Sequence, residues 1–423
     1  MGMTIIEKIL ARASGSAQVR AGDIVVCNVD RMVLLDLPFA SNREPELLKV
    51  FDPDRIAVVM DHAAPAPSIE DAIGHQKARA FVRKHGIKHF YDIGNHGICH
   101  QIILEKGLAV PGQVLASMDS HTCASGAMNC AARGLGPLEM LQIVCTGTTW
   151  YKVGPTIRYE LVGNKPHGVY GKDIFLAIAG QYGDHSNQNQ EFGGPGLASL
   201  GFDDRSCIAA MAAEVSAEFC TFPVDQITRD FIAKHIDTAQ LGTWTAVEPD
   251  HDAQYLEVRT IDLATLEPRV SMPDFVPNNT LPVGELSDIA IDQAFIGSCA
   301  NGKLEDFRIA AQILKGRRVR EGVRLIVTPA SQSIHLQAVR LGYVETLIEA
   351  GAVVTNSTCG ACFGYHMGVV GPGERCITSS TRNFKGRMGS MESEVYIGSS
   401  ATVAASALTG KITDPRQFLL AEH

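Results

Sequence analysis

Three features of the sequence point to an α/β protein in which largely parallel sheets are flanked by helices. Short apolar, β-branched runs recur along the chain. Most are followed by a helical stretch rather than by a second strand after a tight turn. Residues able to do chemistry collect where the apolar runs end. Strand–helix alternation predicts parallel strands covered on both faces. In such sheets ligands bind beyond the carboxyl ends of the strands.

The elements follow in order. DIVVCNV (23–29) and RIAVVMD (55–61) are apolar enough to be buried strands. Residues 68–86 predict an amphipathic helix, with Ser68 and Asp71 at capping-box spacing and Gly86 as its stop. FYDIG (90–94) predicts a short strand, 97–107 a helix ending at Gly107, and 113–119 another strand. SGAMNCAARG (125–134) predicts a helix after it. From about residue 155 the texture changes. TIRYELVG (156–163) alternates and predicts an antiparallel strand, while the polar 185–196 predicts a loop. Residues 203–219 predict one helix capped by Asp203 or Asp204, and the proline-dotted 246–290 predicts a connection between domains. The last third alternates again: strand at 293–299, helix 304–316, strand 323–329, helix 331–351, strand end 352–359. At ~100–200 residues per domain, 423 residues predict two to three domains.

Composition narrows the function. Hydrophobic content of 45% with 20% charged residues is ordinary for a globular protein. A net charge of −9 argues against a general nucleic-acid or anionic-membrane binder, which needs a basic surface. The first fifteen residues are too short and too charged for a signal peptide, and no run of 18 apolar residues exists. A cytoplasmic protein without membrane contact is therefore expected. Eleven cysteines then predict small buried hydrophobes, with a few left for a metal.

Three cysteines stand apart: Cys299 in GSCANG, and Cys359 and Cys362 in STCGAC. Each falls at a predicted strand end among small residues, which let a backbone approach a bulky inorganic group. Four readings are open. A redox C-x-x-C would open a helix and usually has aromatic or proline neighbours. A structural zinc site wants four ligands, with His366 as the candidate fourth. Buried thiols without a ligand role are the default for any single cysteine, and suit three glycine-flanked ones poorly. A 4Fe–4S cluster held by three cysteines would keep one open iron, a Lewis acid for a hydroxyl and a carboxylate. Histidines and carboxylates also mark element ends: Asp61 and His62, His100, then Asp119, Ser120 and His121, with Glu214 farther on. A lone histidine is more often structural, but three beside carboxylates suit proton transfer. Arg382 and Arg387, five apart around a glycine, suit bidentate clamping of a dicarboxylic acid or form a solvated basic turn with Lys385.

These segments carry a resemblance. FIGSCANGKLEDF (295–307), STCGACFGYHMGVVGPGE (357–374) and STRNFKGRMGS (380–390) resemble the aconitase superfamily, particularly its isopropylmalate dehydratase large subunits and homoaconitase-like members. MDSHTCASGA (118–127), 97–112, 146–157 and 211–225 extend the likeness over nearly the whole chain, in the family's order. The resemblance implies a hydro-lyase of aconitase type with three α/β domains, near 1–155, 156–285 and 286–423. It implies a 4Fe–4S cluster on Cys299, Cys359 and Cys362 with one open iron. It implies carboxylate–imidazole pairs Asp61–His62, Asp119–His100 and Glu214–His121 as catalytic groups, with Ser120, Arg382 and Arg387 binding substrate.

The resemblance also implies a partner. Single-chain aconitases continue into a swivelling domain that supplies a serine base, whereas this sequence ends at 423. The expectation is a separate small subunit carrying the swivel domain and the serine. The expected substrate is a hydroxy di- or tricarboxylate, 3-isopropylmalate first, with flow toward leucine synthesis. Dimethylmalate, homoaconitate and citrate-type acids are the alternatives. Ala210, Thr381, Met118 and DLPFAS (36–41) depart from the family's usual residues around the substrate. From other classes, a zinc-stabilised scaffold and an RNA-binding regulator are the competing readings.

Overall fold

The β-branched runs become short parallel strands wherever both faces can be covered. The computed structural model describes residues 2–40, 49–236 and 244–419. The chain divides into two compact units. Unit 1 comprises Met1–Gly94, Cys99–Gly163 and His185–Ile261; unit 2 comprises Asn95–Ile98, Asn164–Asp184 and Asp262–His423.

Unit 1 holds a five-stranded parallel sheet ordered His89–Tyr91, Ile56–Val59, Arg31–Leu35, Val114–Ser117, Ala131–Gly134. Its core joins Ile5, Ile9 and Leu10 of the first helix to Met32, Leu34, Ile56, Val58 and Val114 of the strands. The helix Ile69–His85 begins at Ser68, whose Oγ accepts from Asp71 N, and stops at Gly86 in the left-handed region (φ 67°). Unit 2 is built on a seven-stranded sheet. Its five successive strands Glu394–Ile397, Arg375–Thr378, Gln293–Ile296, Arg324–Val327 and Val353–Val354 are all parallel. Phe307, Ile313, Leu325 and Val327 are central to its core. Among the described residues no helix is long and apolar enough to cross a membrane.

Several expected elements differ. Ile24–Asn28 leaves the parallel sheet and pairs antiparallel with Thr148–Lys152. Thr156–Val162 alternates as expected but pairs parallel with Asn189–Gly193, because alternation records a half-buried face and not a direction. That partner strand lies within the expected loop. Two of its buried polar side chains find partners: Asn189 Nδ2 donates to Gly154 O at 2.8 Å, and Glu191 accepts from Ile5 N at 2.8 Å, whereas the Gln190 amide has no hydrogen-bond partner among the described residues. The expected helix 125–134 is a 3₁₀ turn, Ser120–Met128, followed by a strand; a Cβ on Gly126 would collide with the Cys220 carbonyl. The helix expected over 203–219 runs only from Phe202 to Met211, with Gly201 as its N-cap. It tightens to 3₁₀ over Ala212–Val215 and stops at left-handed Ser216. The helix expected over 331–351 is two, Gln332–Arg340 and Tyr343–Glu349, broken at Gly342 (φ 74°). The expected connection 246–290 contributes strands Glu257–Asp262, Arg269–Ser271 and Thr280–Pro282.

Candidate active site

In unit 1 the parallel strands end in acids. Asp36 follows Arg31–Leu35, Asp61 and His62 follow Ile56–Val59, and Asp119 follows Val114–Ser117. Asp119 gathers the histidines. Its Oδ1 lies 2.8 Å from His100 Nε2 and accepts the His121 backbone N–H at 2.7 Å. Its Oδ2 faces His62 Nε2 at 3.6 Å. His121 Nε2 lies 2.7 Å from Glu214 Oε1, and its Nδ1 lies 3.3 Å from Asp119. An ionised carboxylate can only accept, so the nitrogens in these short contacts carry the proton. Burial works against a charge on Asp119, yet the neighbouring His100 and His121 hold its carboxyl well below the usual carboxylate range. All three imidazoles are buried, while Ser120 is exposed at the start of the 3₁₀ turn.

Asp61 lies 3.5 Å from His62 Nδ1, an ion-pair distance rather than a hydrogen bond. Its closer contact is with the Cys99 backbone N–H, 3.0 Å away, at the start of the helix Cys99–Glu105 that carries His100. Sequence reasoning missed Asp36. It is buried and accepts the backbone N–H groups of His62 at 3.0 Å and Ala63 at 2.7 Å. Its place at a strand's carboxyl end, the same as that of Asp61 and Asp119, was the available signal.

In unit 2, Cys299 follows Gln293–Ile296, Cys359 follows Val353–Val354, and Arg382 follows Arg375–Thr378. All three strands are parallel members of one sheet, so the three loops leave its same edge. At ~4.8 Å per strand, the two cysteine loops depart about 10 Å apart. Cys359 and Cys362 bracket a 3₁₀ turn, with Cys362 N donating to Cys359 O at 3.0 Å. Residues three apart eclipse on such a turn, which puts both sulfurs on one side. Ser298 adopts φ 91°, and its Oγ accepts from Ala300 N at 3.3 Å, bending the chain around Cys299. Asp306, also missed from sequence, secures that loop by accepting from Gly302 N, Lys303 N and Asn301 Nδ2 at 2.9–3.0 Å.

The arginine loop is anchored at its root. Buried Lys172 donates to Ser380 O at 3.0 Å, and Asn383 Nδ2 donates to Met272 O at 2.6 Å. Arg382 and Arg387 are half-buried, with the Arg387 guanidinium over the Phe384 ring at 5.6 Å. Lys385 is exposed and faces Asp274 at 3.9 Å. The solvated-turn description therefore suits Lys385 and not the two arginines. A Cβ on Gly364 would reach the Arg387 carbonyl at 2.7 Å, so the cysteine turn and the arginine loop touch.

The chain matches the model of the aconitase family (aconitate hydratase) over residues 41–287 and 280–410. The chain belongs to the aconitase family. It is 59% identical to the 3-isopropylmalate dehydratase large subunit of Mycolicibacterium smegmatis, over 99% of this chain and 98% of that protein. It is 45% identical to 3-isopropylmalate dehydratase large subunit 1 of Methanopyrus kandleri, over 99% of this chain and the whole of that protein. The crystal structure of Thermococcus kodakaraensis aconitase X, in its holo form, aligns with a TM-score of 0.50 at 13% identity, covering 87% of each chain. That likeness bears on the fold alone.

Membership of the aconitase family implies an iron–sulfur cluster. The chemistry of unit 2 fits one. Cys299, Cys359 and Cys362 are 7%, 9% and 4% exposed, and no disulfide joins any of the eleven cysteines. In the cysteine and arginine loops of this unit the buried hydroxyls of Ser357, Ser380 and Thr381 have no hydrogen-bond partner among the described residues, as polar atoms awaiting a bound group would. Other cysteines look structural. Burial pushes Cys27 up to about 11 and Cys376 up to about 12.

Proposed function

We propose that this chain is the large subunit of a hydro-lyase that dehydrates and rehydrates 3-isopropylmalate, isomerising the hydroxy acid without redox change. The observation that carries the reading is the 59% identity, over 99% of this chain, to a 3-isopropylmalate dehydratase large subunit. The geometry supports it. Loss of water breaks a C–O bond and a neighbouring C–H bond, so it needs one group to give a proton and another to take one. His100 and His121, each within 2.8 Å of a carboxylate, are built to hold and release protons. Arg382 and Arg387 would bind the substrate carboxylates, with Ser120 as a further polar contact.

Cys299, Cys359 and Cys362 would hold a 4Fe–4S cluster. When bound, such a cluster supplies an open iron that acts as a Lewis acid toward hydroxyl and carboxylate. The relatives' name, large subunit, supports a partner chain. That small subunit would carry the swivel domain and the serine that takes the carbon-bound proton. The absence of disulfides among eleven cysteines supports a reducing compartment, the cytoplasm. Related hydroxy di- and tricarboxylates, such as dimethylmalate, homoaconitate and citrate-type acids, are the competing substrates.

The test is anaerobic reconstitution with iron and sulfide, addition of candidate small subunits, and a screen of these acids for the ultraviolet absorbance of the unsaturated product. Product from 3-isopropylmalate at the highest kcat/KM is expected. A higher kcat/KM for another acid would move the substrate, and no iron uptake would overturn the reading.

A further inference from the structure

We propose that Asp36 is a positioning residue for His62, holding the turn that presents this imidazole at the end of its strand. The inference rests on the hydro-lyase reading above and adds a residue to it. Asp36 is 1% exposed, an unusual place for a carboxylate. It uses both oxygens on one turn: Oδ1 accepts from His62 N at 3.0 Å and Oδ2 from Ala63 N at 2.7 Å. Two adjacent backbone donors on one carboxylate fix the direction in which residue 62 leaves the backbone. Neither bond involves a side chain of the turn, so His62 keeps its ring atoms for other work.

The surroundings argue that the charge is there for the turn. Asp36 begins the segment that departs from the family's usual residues; Ser41 of that segment lies outside the described residues. From the helix Ile69–His85, His75 Nε2 approaches Asp36 Oδ2 only to 3.7 Å, too far for a good hydrogen bond. Among the described residues no lysine or arginine pairs with Asp36. The buried charge is met by the nearby imidazoles of His75 and His62 together with the two backbone N–H groups, and of these the N–H groups make the directed, short hydrogen bonds. A role in packing would be served as well by an apolar residue of similar size, without desolvating a carboxylate.

His62 in turn faces Asp119 Oδ2 at 3.6 Å and Asp61 Oδ2 at 3.5 Å. Both are distances at which a small rotation of the turn makes or loses a hydrogen bond. A change at Asp36 should therefore be felt more in turnover than in substrate affinity, since the two proposed carboxylate-binding arginines lie in unit 2 and Ser120, the proposed contact in unit 1, is on a turn that Asp36 does not bond.

The test compares Asp36→Asn with the parent, both cluster-loaded and combined with the small subunit. Two quantities are read: the kcat and KM split, and the rate of diethyl pyrocarbonate modification of His62 and His121, resolved by peptide mass. Expected are a kcat at least 10-fold lower, a KM within 2-fold, and faster modification of His62 with His121 unchanged. An unchanged kcat, or equal acceleration at both histidines, would overturn the proposal. Should Asp36→Asn not fold, Asp36→Glu keeps the acceptor pair but displaces it; selective acceleration at His62 supports the proposal and parental labelling rejects it. The labelling arm needs no turnover. If the parent is inactive on every hydroxy acid, the hydro-lyase reading fails while the role of Asp36 is still decided.

Discussion

One carboxylate, Asp119, organises three imidazoles in unit 1, and its titration should be visible in stability. Burial disfavours its charge, but His100 and His121 hold its carboxyl in the folded state well below the usual carboxylate range. The depressed value means that the unfolded chain binds the proton more tightly. The stabilising contribution is present above the unfolded value, near 3.9, and is lost as pH falls through the folded value. Denaturant midpoints taken between about pH 4.5 and pH 2 should therefore fall with acidification, and Asp119→Asn should flatten that slope; parallel slopes would place the acid sensitivity elsewhere. The cysteines allow a second check at this scale. Replacing Cys359 by serine swaps a soft thiolate for a hard oxygen at a buried position. Iron and acid-labile sulfide should drop by more than half after anaerobic reconstitution, with far-ultraviolet circular dichroism unchanged. Full iron content in this variant would remove Cys359 from the ligand set. These residues were legible in sequence because chemistry at a strand end leaves a polar residue after an apolar run. Asp36 carries the same strand-end signal but no neighbouring histidine or cysteine to draw attention to it, and Asp306 lies within a helix, where its backbone and side-chain partners leave no sequence pattern.

Elements were legible where caps marked them, and obscure where backbone geometry decided. The helix over Ile69–His85 was evident from its caps, Ser68 and Gly86, although the expected apolar face is not what it buries: Ile69 and Ile73 are exposed while Asp71 and His75 are buried. Strand direction was not, because a half-buried strand alternates whichever way it runs. The buried strand Asn189–Gly193 was not legible because its composition is polar, with Asn189 and Glu191 bonded to distant backbone groups that the local sequence does not record. The 3₁₀ turn over Ser120–Met128 was misread as helix because small residues suit both; the contact that decides it is Gly126 against the Cys220 carbonyl. That contact can be weighed against backbone strain. Gly126→Ala forces a Cβ onto a backbone carbonyl and should cost about 3 kcal/mol, the upper end of overpacking penalties. Gly316→Ala meets nothing within 4 Å but holds φ at +70°, and should cost about 1–2 kcal/mol of left-handed strain. Chemical denaturation of the two variants orders the effects. If Gly316→Ala is the worse, the close approach at Gly126 is relieved by local movement, and the turn is softer than its packing implies.

At the scale of the whole molecule the chemistry is divided between the two units. Unit 1 offers imidazoles on carboxylates; unit 2 offers the buried Cys299, Cys359 and Cys362 and the half-buried Arg382 and Arg387. Such a division lets cofactor loading and turnover be separated experimentally. With the proposed ligand set, loading would depend on unit 2 loops that are already secured by Asp306, Lys172 and Asn383, so it should proceed with this chain alone. Turnover needs a base for the carbon-bound proton, which the proposed partner supplies. The chain alone should take up iron and sulfide yet convert substrate at less than about 1% of the assembled rate, in keeping with the 10²–10⁴-fold contribution of a positioned acid or base. Titrating in the small subunit should raise activity linearly to a break at one partner per chain, without changing iron content. Equal turnover before and after addition would locate the base within this chain. A rise in iron content in step with activity would instead make the partner part of the cluster site, and would return the secured loops of unit 2 to a purely structural role.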